Sequence, residues 1–183
     1  MSKKSIIILI SALALVIIIC FMFFTNGCIN RTYDGDSYDK NIKIMNDNNV
    51  SLVIYGDEIT FRDGVNYKYI NGIDKSSFSG NEFLVVNDRS SNVVLDEEDY
   101  AEIKELVSKG VTFMYIGSSK LNTFKEKGFI TDQVDNYLGF TLSPTPSASS
   151  YGLWSTSHEE TFKINSEYLG STIVSNIVHQ LKK

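Results

Sequence analysis

The sequence predicts an α/β fold: a small three-layer domain with a mostly parallel sheet, carried behind a single N-terminal transmembrane helix. Three stretches predict it. Phe83-Leu84-Val85-Val86 is a continuous apolar run, the pattern of a strand buried on both faces. Asp96-Glu97-Glu98-Asp99 opens a helix, with Asp96 as N-cap and acids on the positive end of its dipole. Val111 to Ile116 returns as a β-branched and aromatic strand closed by Gly117. A strand, a crossover helix and a second strand make a parallel pair, and a parallel pair needs helices on its faces.

Taken in order, the chain begins with Lys3 and Lys4, followed by the uncharged run Ile6 to Phe24. That run is about as long as the ~20 residues a helix needs to cross a bilayer. It exceeds the apolar core of a cleaved secretory signal, which is about 7 to 15 residues. The expected reading is a signal anchor over 1–25 that meets the lipid bilayer through residues 6–24. The two lysines place the N-terminus in the cytoplasm and the rest of the chain outside the cell membrane. Thr25-Asn26-Gly27-Cys28 offers a second route to the same surface, because a Cys after a small residue can be acylated. Cys28 is therefore a candidate lipidation site. The other cysteine, Cys20, lies inside the apolar run, so the domain expects no disulfide and no cysteine ligand.

Asn26 to Asn49 is rich in Asn, Asp, Lys and Tyr and reads as a polar tether, with the domain proper over 50–183. Asp34-Gly35-Asp36-Ser37-Tyr38-Asp39 has some of the oxygen ligands of a calcium loop but neither its full alternation nor its closing Glu. Asn30-Arg31-Thr32 and Asn49-Val50-Ser51 are formal glycosylation sequons. Val50 to Tyr55 is the first strand. Residues 57–70 read either as a hairpin turning at Asp63-Gly64 or as a very short helix leading to a second parallel strand at Tyr67–Ile70. The crossover downstream favours the second.

In the central helix, Tyr100, Ile103, Leu106 and Val107 repeat at helical spacing, Leu95 can staple to Tyr100, and Gly110 ends the helix. Ser118 or Ser119 is expected to cap a short helix bearing Leu121 and Phe124 and stopped by Gly128. Val134, Tyr137, Leu138 and Phe140 suggest one more helical turn. Ser143 to Ser150, with both prolines of the chain, reads as an exposed loop, and Gly152 to Ser157 as a late strand. Leu169, Ile173, Val174, Ile177, Val178 and Leu181 form one apolar stripe on a closing helix from Ser166 to Leu181.

Charge narrows the function classes. Beyond Lys4 the chain holds 15 basic residues (17 less Lys3 and Lys4) against 22 acidic ones. A nucleic-acid or anionic-lipid partner needs a cationic face, so no nucleic-acid partner is expected. There is no phosphate-binding glycine loop and no dinucleotide fingerprint, so no cofactor is expected. His158 and His179 are the only histidines and stand far apart, so no metal is assigned.

The order strand, acid-capped helix, strand, Gly, Ser-rich turn resembles the middle of a class I glutamine amidotransferase-like domain, a flavodoxin-like fold. In that family the strand matching Val111–Ile116 runs into a G-x-C-x-G elbow. Here the residues are Gly117-Ser118-Ser119-Lys120-Leu121, which puts Ser119 at the nucleophile position and Leu121 at the last glycine. His158-Glu159-Glu160 stands where the family has a late His-Pro-Glu. The resemblance implies a degenerate domain that lacks the catalytic cysteine. Two functional expectations follow. The first is a non-enzymatic, extracytoplasmic binding or assembly component of the envelope, whose domain binds a protein partner in the membrane or envelope. The alternative is a serine hydrolase or transferase in which Ser119 attacks, His158 acts as base and Glu160 orients it.

Overall fold

A computed structural model describes residues 35–78, 81–133, 137–144, 150–155 and 166–182. The elements in chain order are α1 (Gly35–Asp47), β1 (Ser51–Gly56), β2 (Tyr67–Ile70), β3 (Glu82–Asn87), α2 (Glu97–Ser108), β4 (Thr112–Ile116), α3 (Leu121–Glu126), β5 (Tyr137–Ser143), β6 (Ser150–Ser155) and α4 (Ser166–Leu181). One sheet takes all six strands in the order β2-β1-β3-β4-β5-β6. The first four are mutually parallel, and β5 and β6 add an antiparallel ribbon at one side. The fold is therefore α/β with a mostly parallel sheet, as the sequence predicts.

The central unit forms as its residues dictate. Every residue of β3 and of β4 is buried. Asp96 caps α2 by accepting from the Glu98 and Asp99 N–H groups, and Asp99 reaches back to the Asp96 N–H at 2.9 Å. This reciprocal box satisfies donors that a helix start otherwise leaves open, worth about 1 kcal/mol.

Helices α1, α2 and α3 end in one shared way. The residue after each cap turns left-handed: Asn49 (φ 52°), Gly110 (φ 99°) and Gly128 (φ 76°). Each donates to the carbonyl three residues back, and the next residue donates to the carbonyl five back: Val50 to Met45 at 2.9 Å, Val111 to Leu106 at 3.0 Å, Phe129 to Phe124 at 3.0 Å. These are Schellman motifs. Val50, Val111 and Phe129 are all buried, so each turn aims the chain inward, and the first two feed directly into β1 and β4.

Alternation along the strands divides the core into two layers. Leu84, Val86, Phe113, Tyr115, Phe140 and Leu142 face one way. They pack with Tyr100, Ile103, Leu106 and Val107 of α2 and with Leu121 and Phe124 of α3. Leu52, Ile54, Phe83, Val85, Met114 and Ile116 take the opposite positions and are buried too. Helix α4 lies on that second face, where Thr141 of β5 bonds Asn176 of α4 at 3.5 Å. Its Leu169, Ile173, Val174, Ile177 and Val178 are buried, each contributing about 2 kcal/mol through lost apolar surface. Arg62 links α4 to α1: its Nε donates to Glu167, and its guanidinium lies 5.2 Å over the Tyr38 ring.

Four expectations are corrected. The tether over 26–49 does not hold for its second half, because Gly35–Asp47 is helical and buries Tyr38, Ile42 and Met45. The compact unit containing the sheet begins at Asp36, not at Val50. β2 does pair parallel to β1, but no helix joins them; residues 57–66 cross as an irregular loop. Tyr137, Leu138 and Phe140 belong to strand β5 and not to a helical turn. Val134 and most of the proline loop, residues 145–149, lie outside the described residues, as does the apolar run 6–24. Among the described residues no helix is long and apolar enough to cross a membrane.

Candidate functional site

Open parallel sheets bind ligands beyond the carboxyl ends of their strands, where neighbouring connections leave in opposite directions. Here β1 connects to β2 on one side while β3 lies on the other, which puts that point at Gly56-Asp57 and Asn87-Asp88. Hydrogen bonds stitch it shut. The Asp57 N–H donates to the Asn87 carbonyl at 2.8 Å, and Asn87 Nδ2 donates to the Asp57 carbonyl at 2.9 Å. The Asp57 carboxylate accepts from the Ser90 N–H and hydroxyl, and Arg89 donates to the Glu58 carbonyl at 3.1 Å. Loops joined this way position one another.

The charged centre lies one strand further, between β3 and β4. Asp88 follows β3 directly and is 0% exposed. Its Oδ1 accepts from the Val93 N–H at 2.9 Å. Its Oδ2 accepts from Tyr115 Oη at 2.8 Å, from Ser119 Oγ, and from Lys120 Nζ at 2.8 Å. Tyr115 comes from β4, and Ser119 and Lys120 from the turn after it. Gly117 makes this approach possible: it stands at φ 153°, and a Cβ there would meet the Asp88 carbonyl oxygen at 2.7 Å.

The electrostatics follow from this packing. Burial is the largest single influence on the Asp88 carboxyl and would push its pKa up. Lys120, Ser119, the Val93 N–H and Tyr115 together outweigh burial and hold it below the ordinary carboxylate value. Burial also drives the Tyr115 phenol well above its ordinary range, so it stays a neutral hydroxyl. That hydroxyl donates to Asp88 and accepts from the Lys120 N–H at 3.1 Å. Lys120 is 19% exposed, so the pair is sealed at the carboxylate and open at the ammonium stem.

Four donors meet this carboxylate, three at Oδ2 and one at Oδ1. An acid so occupied and so acidic is a poor base and a poor metal ligand. Ser119 spends its proton on Asp88, and its oxygen lies 3.4 Å from Lys120 Nζ, which is itself ion-paired. The arrangement clamps the β3 and β4 loops together. Ser119 therefore does not cap α3; the cap position is Lys120, which makes no side-chain bond to the helix N–H groups.

His158 and Glu160 lie outside the described residues, as does Cys28, so the expected triad and the lipidation site are not placed. His179 is on the exposed side of α4. Among the described residues no group of three or more His, Cys, Asp and Glu could hold a metal ion. Sequence reasoning missed Asp88, Tyr115 and Lys120. One signal was available: the Asn87-Asp88 pair directly after the apolar run Phe83–Val86 must either leave the core or find partners within it.

Comparison with protein-family models, with characterised proteins and with solved structures finds no match.

Proposed function

We propose that this chain is a membrane-anchored, extracytoplasmic protein whose α/β domain serves as a non-enzymatic binding or assembly component of the cell envelope. The anchor rests on the apolar run Ile6–Phe24 behind Lys3 and Lys4. The observation that carries the non-enzymatic reading is the commitment of Ser119 and Lys120 to Asp88. A hydroxyl donating to a carboxylate oxygen that also accepts from Tyr115 and Lys120 is held as a structural link, whereas an attacking hydroxyl needs a base with a free lone pair. The likeness to a glutamine amidotransferase-like domain without its cysteine belongs to this proposal, since a shared fold with a lost elbow leaves a scaffold for binding.

Two fusions test the anchor. Alkaline phosphatase joined after Lys183 is expected to be active and a fluorescent protein at the same place dark; the opposite pattern overturns the topology. The competing reading, a serine hydrolase using Ser119, His158 and Glu160, draws on the place of Ser119 in a strand-to-helix turn. A fluorophosphonate probe separates the two. The proposal expects no labelling above that of Ser119→Ala, and stoichiometric labelling that Ser119→Ala and His158→Ala both abolish would replace it.

A further inference from the structure

Asparagine is chemically labile because its side-chain amide lies within reach of the next residue's backbone nitrogen. Attack by that nitrogen closes a five-membered ring. Two features of a folded chain oppose it: a hydrogen bond that holds the next N–H in place, and a following side chain that crowds the ring. The asparagines of this domain divide on that basis. After Asn48, the Asn49 N–H donates to the Asn46 carbonyl at 3.0 Å. After Asn49, the Val50 N–H donates to the Met45 carbonyl at 2.9 Å. After Asn87, the Asp88 N–H donates to the Ile116 carbonyl at 2.7 Å. After Asn92, the Val93 N–H donates to Asp88 Oδ1 at 2.9 Å. Asn46 and Asn48 also spend their amides on the Gly64 and Ile44 carbonyls.

Asn71 has none of these restraints. It follows β2 directly and is exposed, as is Gly72 after it. Among the described residues neither the Asn71 amide nor the Gly72 N–H has a hydrogen-bond partner. Gly72 brings no side chain, and a Cβ built there would meet nothing within 4 Å. A glycine also takes backbone angles closed to other residues, so ring closure meets little resistance on its side.

We infer that Asn71 is a site of covalent self-modification, where the folded chain deamidates without an enzyme. The Gly72 nitrogen attacks Cγ of Asn71, the Cγ–Nδ2 bond breaks, and ammonia leaves with the proton from Gly72. Water then opens the succinimide at either carbonyl. Opening at Cγ restores the main chain and leaves an aspartyl residue. Opening at the backbone carbonyl leaves an isoaspartyl residue, with the chain routed through its side chain. Either product adds a negative charge at the end of β2. The isoaspartyl form also inserts a carbon atom between Ile70, which pairs with Tyr55, and the buried Ile73. The modification therefore falls between two points that the fold holds in place.

Incubation of the full chain at mildly alkaline pH in a non-denaturing detergent tests this. Peptide mapping by mass spectrometry and labelling by an isoaspartyl methyltransferase give the readout. The peptide carrying residue 71 is expected to yield two products of acid mass, one of them a methyl acceptor. Conversion should run within a few-fold of its rate in the same chain unfolded in urea. Mapping separates this peptide from the chain's other Asn-Gly, Asn26-Gly27, which lies outside the described residues. Asn71→Gln is expected to abolish methyl labelling of the peptide, because a glutamine would have to close a six-membered ring. Gly72→Val, which crowds the ring, is expected to slow conversion. If residue 71 stays an amide in the native chain, whether or not it converts in urea, the proposal is overturned. It is overturned equally if Asn48, Asn49 or Asn92 converts as fast as Asn71 in the native chain, since a bonded N–H would then offer no protection.

Discussion

The Asp88 cluster and the β2 border treat polar groups in opposite ways. At Asp88 both oxygens of a fully buried carboxylate accept, Oδ1 from one donor and Oδ2 from three, and the donors come from three separate segments. At β2 the outward backbone groups of Tyr67 and Tyr69 meet no other described residue, although their side chains are fixed by ring contacts. Satisfied polar networks rigidify, and open strand borders recruit. The same molecule spends its polar chemistry on holding the β3 and β4 loops still and leaves the outward backbone groups of β2 without a partner among the described residues.

The largest expected effect comes from breaking the rigid side. Asp88→Ala strands the Tyr115 hydroxyl and the Val93 N–H in the core and frees Lys120. We expect a loss of about 3 kcal/mol, the scale for removing one partner of a buried charged network. By calorimetry that corresponds to a melting temperature lower by roughly 10 °C for a domain of this size. Lys120→Met leaves three donors on Asp88 and is expected to cost less, about 1 to 2 kcal/mol. If Asp88→Asn instead proved more stable than the parent, the cluster would be a strained functional site and the contrast with β2 would fail.

Acid titration sharpens the same contrast. The folded Asp88 carboxyl lies below its ordinary 3.8, so its stabilisation is complete above that value. It is lost as pH falls through the lower folded value. Glu105 behaves alike at first sight, held at about 2 by Lys109 and then Lys75. It is exposed, however, and salt screens exposed pairs. Denaturant melts between pH 5 and pH 2 should therefore show an acid loss in two parts. The part belonging to Glu105 shrinks in 0.5 M salt, while the part removed by Asp88→Asn persists. An acid loss wholly abolished by salt would mean that Asp88 is not the buried anchor described above.

Legibility in the sequence tracks the range of the interactions. The β3-α2-β4 unit was readable because its cap, staple and stop lie within a few residues of one another. Helix α1 was not, because only Tyr38, Ile42 and Met45 mark its buried stripe, amid Asn, Asp and Lys. Its stop residue is Asn49, which carries no signal as plain as a glycine. β5 read as helical because Val134, Tyr137 and Leu138 stand at helical spacing, and Gly139 breaks up its strand signal. That glycine is required by the neighbouring strand, since a Cβ there would lie 2.1 Å from the Tyr115 carbonyl oxygen. The Asp88 cluster draws on Tyr115, Ser119 and Lys120, some thirty residues downstream, and no local pattern announces such a meeting. Ser119 was singled out for its turn, and the turn is real; its hydroxyl serves Asp88.

The smallest expected effect belongs to the open side. Tyr67→Ser removes an exposed ring and its contact with Phe61 but leaves the Asn66, Lys68 and Ile70 bonds to β1 intact. Its cost to the isolated fold should stay at about 0.5 to 1 kcal/mol, the range of one cross-strand or ring pair. Equilibrium unfolding at low protein concentration checks this. A loss near that of Asp88→Ala would show that Tyr67 is part of the fold itself. A small loss would show that the exposed ring is dispensable to the fold. Stability would then depend on Asp88 and hardly on the Tyr67 ring, because that side chain faces outward without holding the core.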